Sequence, residues 1–158
     1  MRERRPHVEK RENLLKWNLL TTVMYYAFEF DENPSDVVRR FIQHGLSNKQ
    51  RIGSENPVMT FVNEDGVESP LALHLGCLGM RNRRSELLGI KLDLPKEVEK
   101  GVESFAKKNS VNFGQACDSL VEFSLEVFTT MQEHDLYIPT SNGEKISHVD
   151  MIRGEEII

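Results

Sequence analysis

Six arginines stand out in a chain whose formal net charge is −5. Arg2, Arg4 and Arg5 form one cluster, and Arg81, Arg83 and Arg84 repeat it 79 positions later. A guanidinium holds a phosphate through two parallel hydrogen bonds, so clustered arginines are candidate contacts to a nucleic-acid backbone. Solvated charge on a terminus and a linker would look the same. The acidic balance excludes a uniformly basic nucleic-acid coat, so any DNA contact is a local patch. Lys107 and Lys108 close a predicted helix, where they offset its negative end or join that patch. Asn112 opens the next helix, where it caps the backbone or leaves N–H groups for a phosphate. Lys91 and Asp93 alternate with Ile90, Leu92 and Leu94, which makes them candidate base readers if this segment is a strand in a groove.

Catalytic and metal chemistry find less support. His74 and Cys77 are three apart, but two ligands do not make a zinc site and no second pair lies near. Cys117 falls on an apolar helical stripe and is expected in the core. His148 and Asp150 lie near Glu155 and Glu156 without a strand-turn frame that would make them a catalytic set. There is no P-loop and no Gly-x-Gly-x-x-Gly. Trp17 and the Tyr25, Tyr26, Phe28, Phe30 run are expected to form core, with base stacking as the other use of such rings. The residues predict a protein that is not an enzyme and needs no cofactor or metal.

The elements that must position these residues come from a chain of 158 residues, 39% apolar and 28% charged. That is room for one ordinary domain or two very small ones. No stretch approaches the ~18 apolar residues of a membrane span. Met1 to Arg5 leads into no apolar run, as a secretory signal would, and Glu9 and Glu12 argue against a transit peptide. Two cysteines are too few for a disulfide scaffold, and a reducing cytoplasm is the expected setting.

Sliding the chain by 79 lays residues 1–46 over 80–125 without a gap, with nine identities: Met1, Arg2, Arg4, Arg5, Leu15, Val23, Ala27, Asn33 and Leu46. Ordinary composition gives roughly three. The apolar spacing repeats as well. Leu15, Leu19, Val23 and Tyr26 overlie Leu94, Val98, Val102 and Phe105, and Val37, Val38, Phe41 and Ile42 overlie Ala116, Cys117, Leu120 and Val121. Each copy predicts two helices separated by a short break. In one, Asn33 caps with Pro34 at the first helical position and Asp36 three after the cap. In the other, Pro95 opens the first helix and Asn112 caps the second, with Gln115 in a box. Each half then carries a turn, Glu64-Asp65-Gly66 or Ser141-Asn142-Gly143, flanked by apolar residues, and a later glycine, Gly76 or Gly154. The expected fold is mainly α: two tandem helix-turn-helix pairs with short strands or hairpins, one over 1–79 and one over 80–158.

Ile90-Lys91-Leu92-Asp93-Leu94 alternates with period two before Pro95. Strand, helix, turn, helix in this order resembles the ribbon-helix-helix family, whose paired strands enter the DNA major groove. A solvent-exposed strand, or the first turn of a longer helix, fits the same residues. The matching stretch Arg11 to Lys16 reads as helix, so the first copy departs from that pattern.

The tail is similar to the E protein of the bacterial DNA phosphorothioation (Dnd) system. The residues that carry the likeness are Asn109-Ser110-Val111-Asn112, Gly143-Glu144-Lys145-Ile146 and Gly154-Glu155, with Gly66-Val67-Glu68 and Gly76 in the first half. That family normally has one such unit, and here the glutamate after Gly76 is replaced by Cys77. The resemblance implies a DNA-binding accessory subunit that acts with a sulfur-transfer enzyme and an ATPase in antiviral defence, and it leaves room for a homo-oligomer. Two other readings fit the same residues: a ribbon-helix-helix transcription regulator or antitoxin, and a structural adaptor that docks a larger enzyme without touching DNA.

Overall fold

The computed structural model describes residues 19–51, 58–73, 87 and 92–153. Among them the order is α1 (Leu19–Glu29), α2 (Pro34–Arg51), β1 (Val58–Val62), β2 (Glu68–Ala72), α3 (Lys96–Asn109), α4 (Phe113–His134), β3 (Ile138–Pro139), β4 (Lys145–Ile146) and α5 (His148–Arg153). The described part is mainly helical with two small antiparallel strand pairs. Of the apolar stripes, Leu19, Val23, Tyr26, Val37, Val38, Phe41 and Ile42 are buried in one pair and Val102, Ala116, Cys117, Leu120 and Val121 in the other, where Leu94, Val98 and Phe105 are half-buried; Leu15 lies outside the described residues.

The breaks within the two helix pairs share one hydrogen-bond pattern. Asp31 and Ser110 are both left-handed, at φ 56° and 58°. The N–H groups of Asp31 and Glu32 donate to the carbonyls of Phe28 and Ala27, at 3.2 and 2.8 Å. Those of Ser110 and Val111 donate to Lys107 and Ala106, at 3.3 and 3.0 Å. Every donor and acceptor maps onto its counterpart by the same shift of 79. Left-handed backbone costs a non-glycine residue about 1–2 kcal/mol. Here it satisfies the last carbonyls of one helix and turns the chain into the next. Asn33 and Asn112 follow at equivalent positions, and their carbonyls accept from Val37 and Ala116 at 3.0 and 2.9 Å.

The hairpins also repeat. β1 pairs with β2 from Val58↔Ala72 to Val62↔Glu68, and β3 pairs with β4 through Ile138↔Ile146 and Pro139↔Lys145. Gly66 and Gly143 end the turns at φ +83° and +89°, a region glycine enters without steric cost. Their N–H groups donate to Asn63 and Thr140, at 2.9 and 3.1 Å. A bridge between Val62 and Tyr137, with both hydrogen bonds at 2.8 Å, joins the hairpins.

At the centre α2 packs against α4, and the contacts there are reciprocal. A Cβ on Gly45 would stand 2.7 Å from the carbonyl oxygen of Leu120. The Ser124 hydroxyl donates to the carbonyl of Phe41. Gly45 and Ser124 are equivalent under the 79-residue shift, and so are Phe41 and Leu120. A second pair of contacts obeys the same rule. Lys49 Nζ lies 5.0 Å from the Phe105 ring centre, and Phe128, its equivalent, lies 4.7 Å from Tyr26, the equivalent of Phe105. Residue i touching j′ while i′ touches j is the signature of an isologous contact, made here within one chain.

Three expectations need correction. Leu92 to Pro95 have no regular hydrogen-bonded structure. Leu92 and Leu94 are half-buried and Asp93 is exposed, so the alternation persists as burial, while no strand among the described residues pairs with this segment. Pro95 is the N-cap rather than the first helical residue, with α3 starting at Lys96. Asn33 caps α2 as expected, its side chain accepting from the Ser35 N–H at 3.0 Å and the Ser35 hydroxyl at 2.8 Å, while Asp36 pairs with Arg39. Phe28 is not core: it is 77% exposed, because its position on α1 points away from α2 and α4.

Candidate nucleic-acid interface

Of the residues singled out for DNA contact, Asp93, Lys107, Lys108 and Asn112 lie among those described. Arg2, Arg4, Arg5, Arg81, Arg83, Arg84 and Lys91 lie outside them, as do Trp17, His74, Cys77, Gly154 and Glu155. Lys107 and Lys108 occupy the last turn of α3 and are exposed. Three residues of turn separate α3 from α4, so the two lysines and the start of α4 meet at one junction. Asn109 helps hold it, its side-chain amide donating to the Phe105 carbonyl at 2.9 Å.

Asn112 forms the predicted capping box. The Gln115 N–H donates to its Oδ1 at 2.8 Å, and its own N–H donates to Gln115 Oε1 at 3.0 Å. Two N–H groups are therefore engaged by the cap, and an anion approaching this end of α4 meets those of Phe113 and Gly114. Phe113 is itself exposed at 37%, an aromatic ring one residue past the cap that sequence reasoning did not single out. The combination of two cations, an exposed ring and first-turn N–H groups suits a nucleic-acid backbone. The equivalent junction between α1 and α2 has the opposite character, with Glu29, Asp31 and Glu32 around the turn. Arg40 donates there to Glu32 at 3.0 Å and also to the Ile152 carbonyl, which ties α5 to the first pair.

Residues weighed for catalysis have structural duties. Cys117 is buried in α4, and its thiol is pushed up to about 12, first by burial and then by the neighbouring Asp118 charge. It is a core residue, not a nucleophile at neutral pH. Asp150 accepts from the Ser147 N–H at 2.8 Å while the Asp150 N–H donates to the Ser147 hydroxyl at 3.2 Å, a second capping box that starts α5. His148 packs edge-on to Phe128, with ring centres 5.6 Å apart. Among the described residues no group of three or more His, Cys, Asp or Glu side chains is arranged to hold a metal. None of the described helices is long and apolar enough to cross a membrane.

Comparison with known proteins returns no match to a family model, a curated protein or a solved structure.

Proposed function

We propose that this chain is a non-enzymatic DNA-binding accessory subunit, built as two tandem helix-turn-helix pairs related by a two-fold within one chain. The reciprocal α2–α4 contact carries the reading. Dimeric helix-pair proteins meet duplex DNA with two equivalent units about a dyad, and a duplicated chain supplies both units covalently. The basic junction of Lys107, Lys108 and Asn112 supports backbone contact by the second unit. The arginine clusters at equivalent sequence positions would add phosphate contacts at each unit. The likeness to the Dnd E protein makes a sulfur-transfer enzyme and an ATPase the proposed partners in DNA modification. The other reading, a ribbon-helix-helix operator reader, would pair the segment around Leu92 to Leu94 with the same segment of a second copy.

Salt titration of duplex binding tests this. Counterion release gives a log–log slope near −0.9 per neutralised phosphate. Replacing Arg81, Arg83 and Arg84 by alanine should weaken binding alike on all sequences and flatten the slope. Lys107→Ala with Lys108→Ala should act in the same direction by about one or two phosphates. Near-equal competition by unrelated DNA is expected of an accessory subunit. Strong preference for one operator would instead indicate a regulator, and absence of binding at low salt by the folded chain would remove DNA from its function.

A further inference from the structure

The two hairpin turns are alike in backbone and differ in one functional group. Asp65-Gly66 closes the first and Asn142-Gly143 the second, with both glycines left-handed. Asn142 is the one asparagine in the sequence that glycine follows. An asparagine carboxamide carbon lies within reach of the next residue's main-chain nitrogen, and attack there closes a five-membered ring. Glycine after the asparagine leaves that approach uncrowded. The space at Gly143 is open, since a Cβ there would meet no atom within 4 Å. Ser141 to Lys145 are all exposed, so water and hydroxide reach the turn. The turn also prepares the carboxamide. Asn142 Oδ1 accepts from the Thr140 hydroxyl and faces the Glu144 N–H at 3.4 Å. Negative charge develops on this oxygen as Cγ is attacked, and donors aimed at developing charge lower the barrier. The Glu144 N–H fixes the hydroxyl in place, donating to Thr140 Oγ1 at 2.9 Å. In the first turn Asn63 Oδ1 instead accepts from the N–H groups of Asp65 and Val67, at 2.9 and 3.0 Å, and Glu64 follows it. Asp65 there carries an ionised carboxylate, which resists attack by a nitrogen nucleophile.

We propose that Asn142 is a self-modifying site, at which the Gly143 nitrogen attacks the Asn142 carboxamide while the Thr140 hydroxyl positions and polarises it. The Gly143 N–H, whose one bond among the described residues is to the Thr140 carbonyl at 3.1 Å, gives its proton to hydroxide. The nitrogen then bonds to Asn142 Cγ and the Cγ–Nδ2 bond breaks. The departing nitrogen takes a proton from water and leaves as ammonia. Water opens the resulting succinimide at either carbonyl, giving aspartate or isoaspartate at this position. Water is the only co-reactant, and no electrons are transferred. Either product adds a negative charge to the turn. The isoaspartate also carries the main chain through Cβ, lengthening a turn whose two strands share only the pairs Ile138↔Ile146 and Pro139↔Lys145. This chemistry goes beyond the DNA-binding reading and does not depend on it.

The test incubates the full chain in mildly alkaline buffer and follows each asparagine by peptide mass mapping, with isoaspartyl methyltransferase labelling to count the iso product. Folded wild type should convert at Asn142 ahead of every other asparagine, and Asn142→Gln should show no conversion there. Thr140→Val should slow the reaction about fivefold, the rate equivalent of one net hydrogen bond, and Thr140→Ser should restore it. A Thr140→Val turn that had merely opened would not be slowed in this way. The same chains unfolded in denaturant should all convert at one rate, because the hydroxyl is then no longer held against Oδ1. Retention of the Asn142 amide in folded wild type, while the unfolded chain converts, overturns the proposal. So does equal or faster conversion of folded Thr140→Val, failure of Thr140→Ser to restore the rate, or a Thr140→Val deficit that persists in denaturant.

Discussion

The first and second helix pairs are held by the same backbone devices and surrounded differently. Both close their leading helix with a left-handed residue and open the next with asparagine. Yet Lys49 on α2 and Phe128 on α4, equivalent in sequence and in contact, have become a cation and a core ring. Lys49 Nζ sits over Phe105 and Phe123, at 5.0 and 5.3 Å. Phe128 is enclosed by Tyr26, Phe30, Phe41 and by His148 of α5. The added helix converts one end of the crossing into interior, and side chains there follow the change in solvent access. Close backbone contacts fix the geometry of each pair; the faces beyond them are free to diverge.

The largest expected effect probes that divergence. Phe128→Ala should cost about 3–5 kcal/mol in denaturant unfolding, because its cavity opens among four rings. Lys49→Ala should cost about 1 kcal/mol or less, the range of a cation over aromatic faces near the surface. Comparable losses at both positions would show that the two ends are equally enclosed, contrary to the packing around α5.

A smaller effect separates the two caps. Asn112→Ala removes a reciprocal box and should cost about 1 kcal/mol. Asn33→Ala loses only bonds to Ser35 and should cost less, measured by the same unfolding curves.

The smallest effect falls on Tyr26, fully buried at 1% exposure, whose hydroxyl has no hydrogen-bond partner among the described residues. Burial foremost, then Tyr25, Glu133 and Glu29, raises its ionisation well above the ordinary tyrosine range. The unfolded chain therefore releases this proton first. Its contribution is intact below about pH 10 and is lost as pH rises beyond that. Tyr26→Phe, which matches the ring at the equivalent Phe105, should be neutral or stabilising by up to about 1 kcal/mol at pH 7. It should also soften the alkaline loss seen in melts above pH 10. Destabilisation at neutral pH would mean that the hydroxyl is satisfied.

Local signals were the legible ones. Asn33, Asn112, Gln115 and the turn glycines act through neighbours within four residues, and the apolar stripes act through helical period, so each left a readable mark. Phe28 was misplaced because an aromatic run does not say which of its members faces the core. The strand expected at Ile90 to Leu94 failed over its described part because alternation specifies two faces, whereas a strand also needs a partner. The reciprocity of Gly45 with Ser124 left only a faint trace, two small residues at equivalent positions. Its meaning depends on how α2 and α4 cross, which no local pattern encodes. The exposed ring of Phe113 beside the Asn112 cap was overlooked for a similar reason, since helix-start signals describe the backbone and not the side chain just inside it.

Exchanging the two small residues tests the two-fold most directly. Gly45→Ser alone forces a Cβ to within 2.7 Å of the Leu120 carbonyl oxygen, and Ser124→Gly alone removes the hydroxyl bonded to Phe41. If the contacts are reciprocal, the double exchange lets the crossing tilt, opening at one end as it closes at the other. Denaturant unfolding of both single variants and the double should then give a favourable coupling of about 1 kcal/mol or more. Losses that add to within about 0.4 kcal/mol would contradict a two-fold relation between the helix pairs.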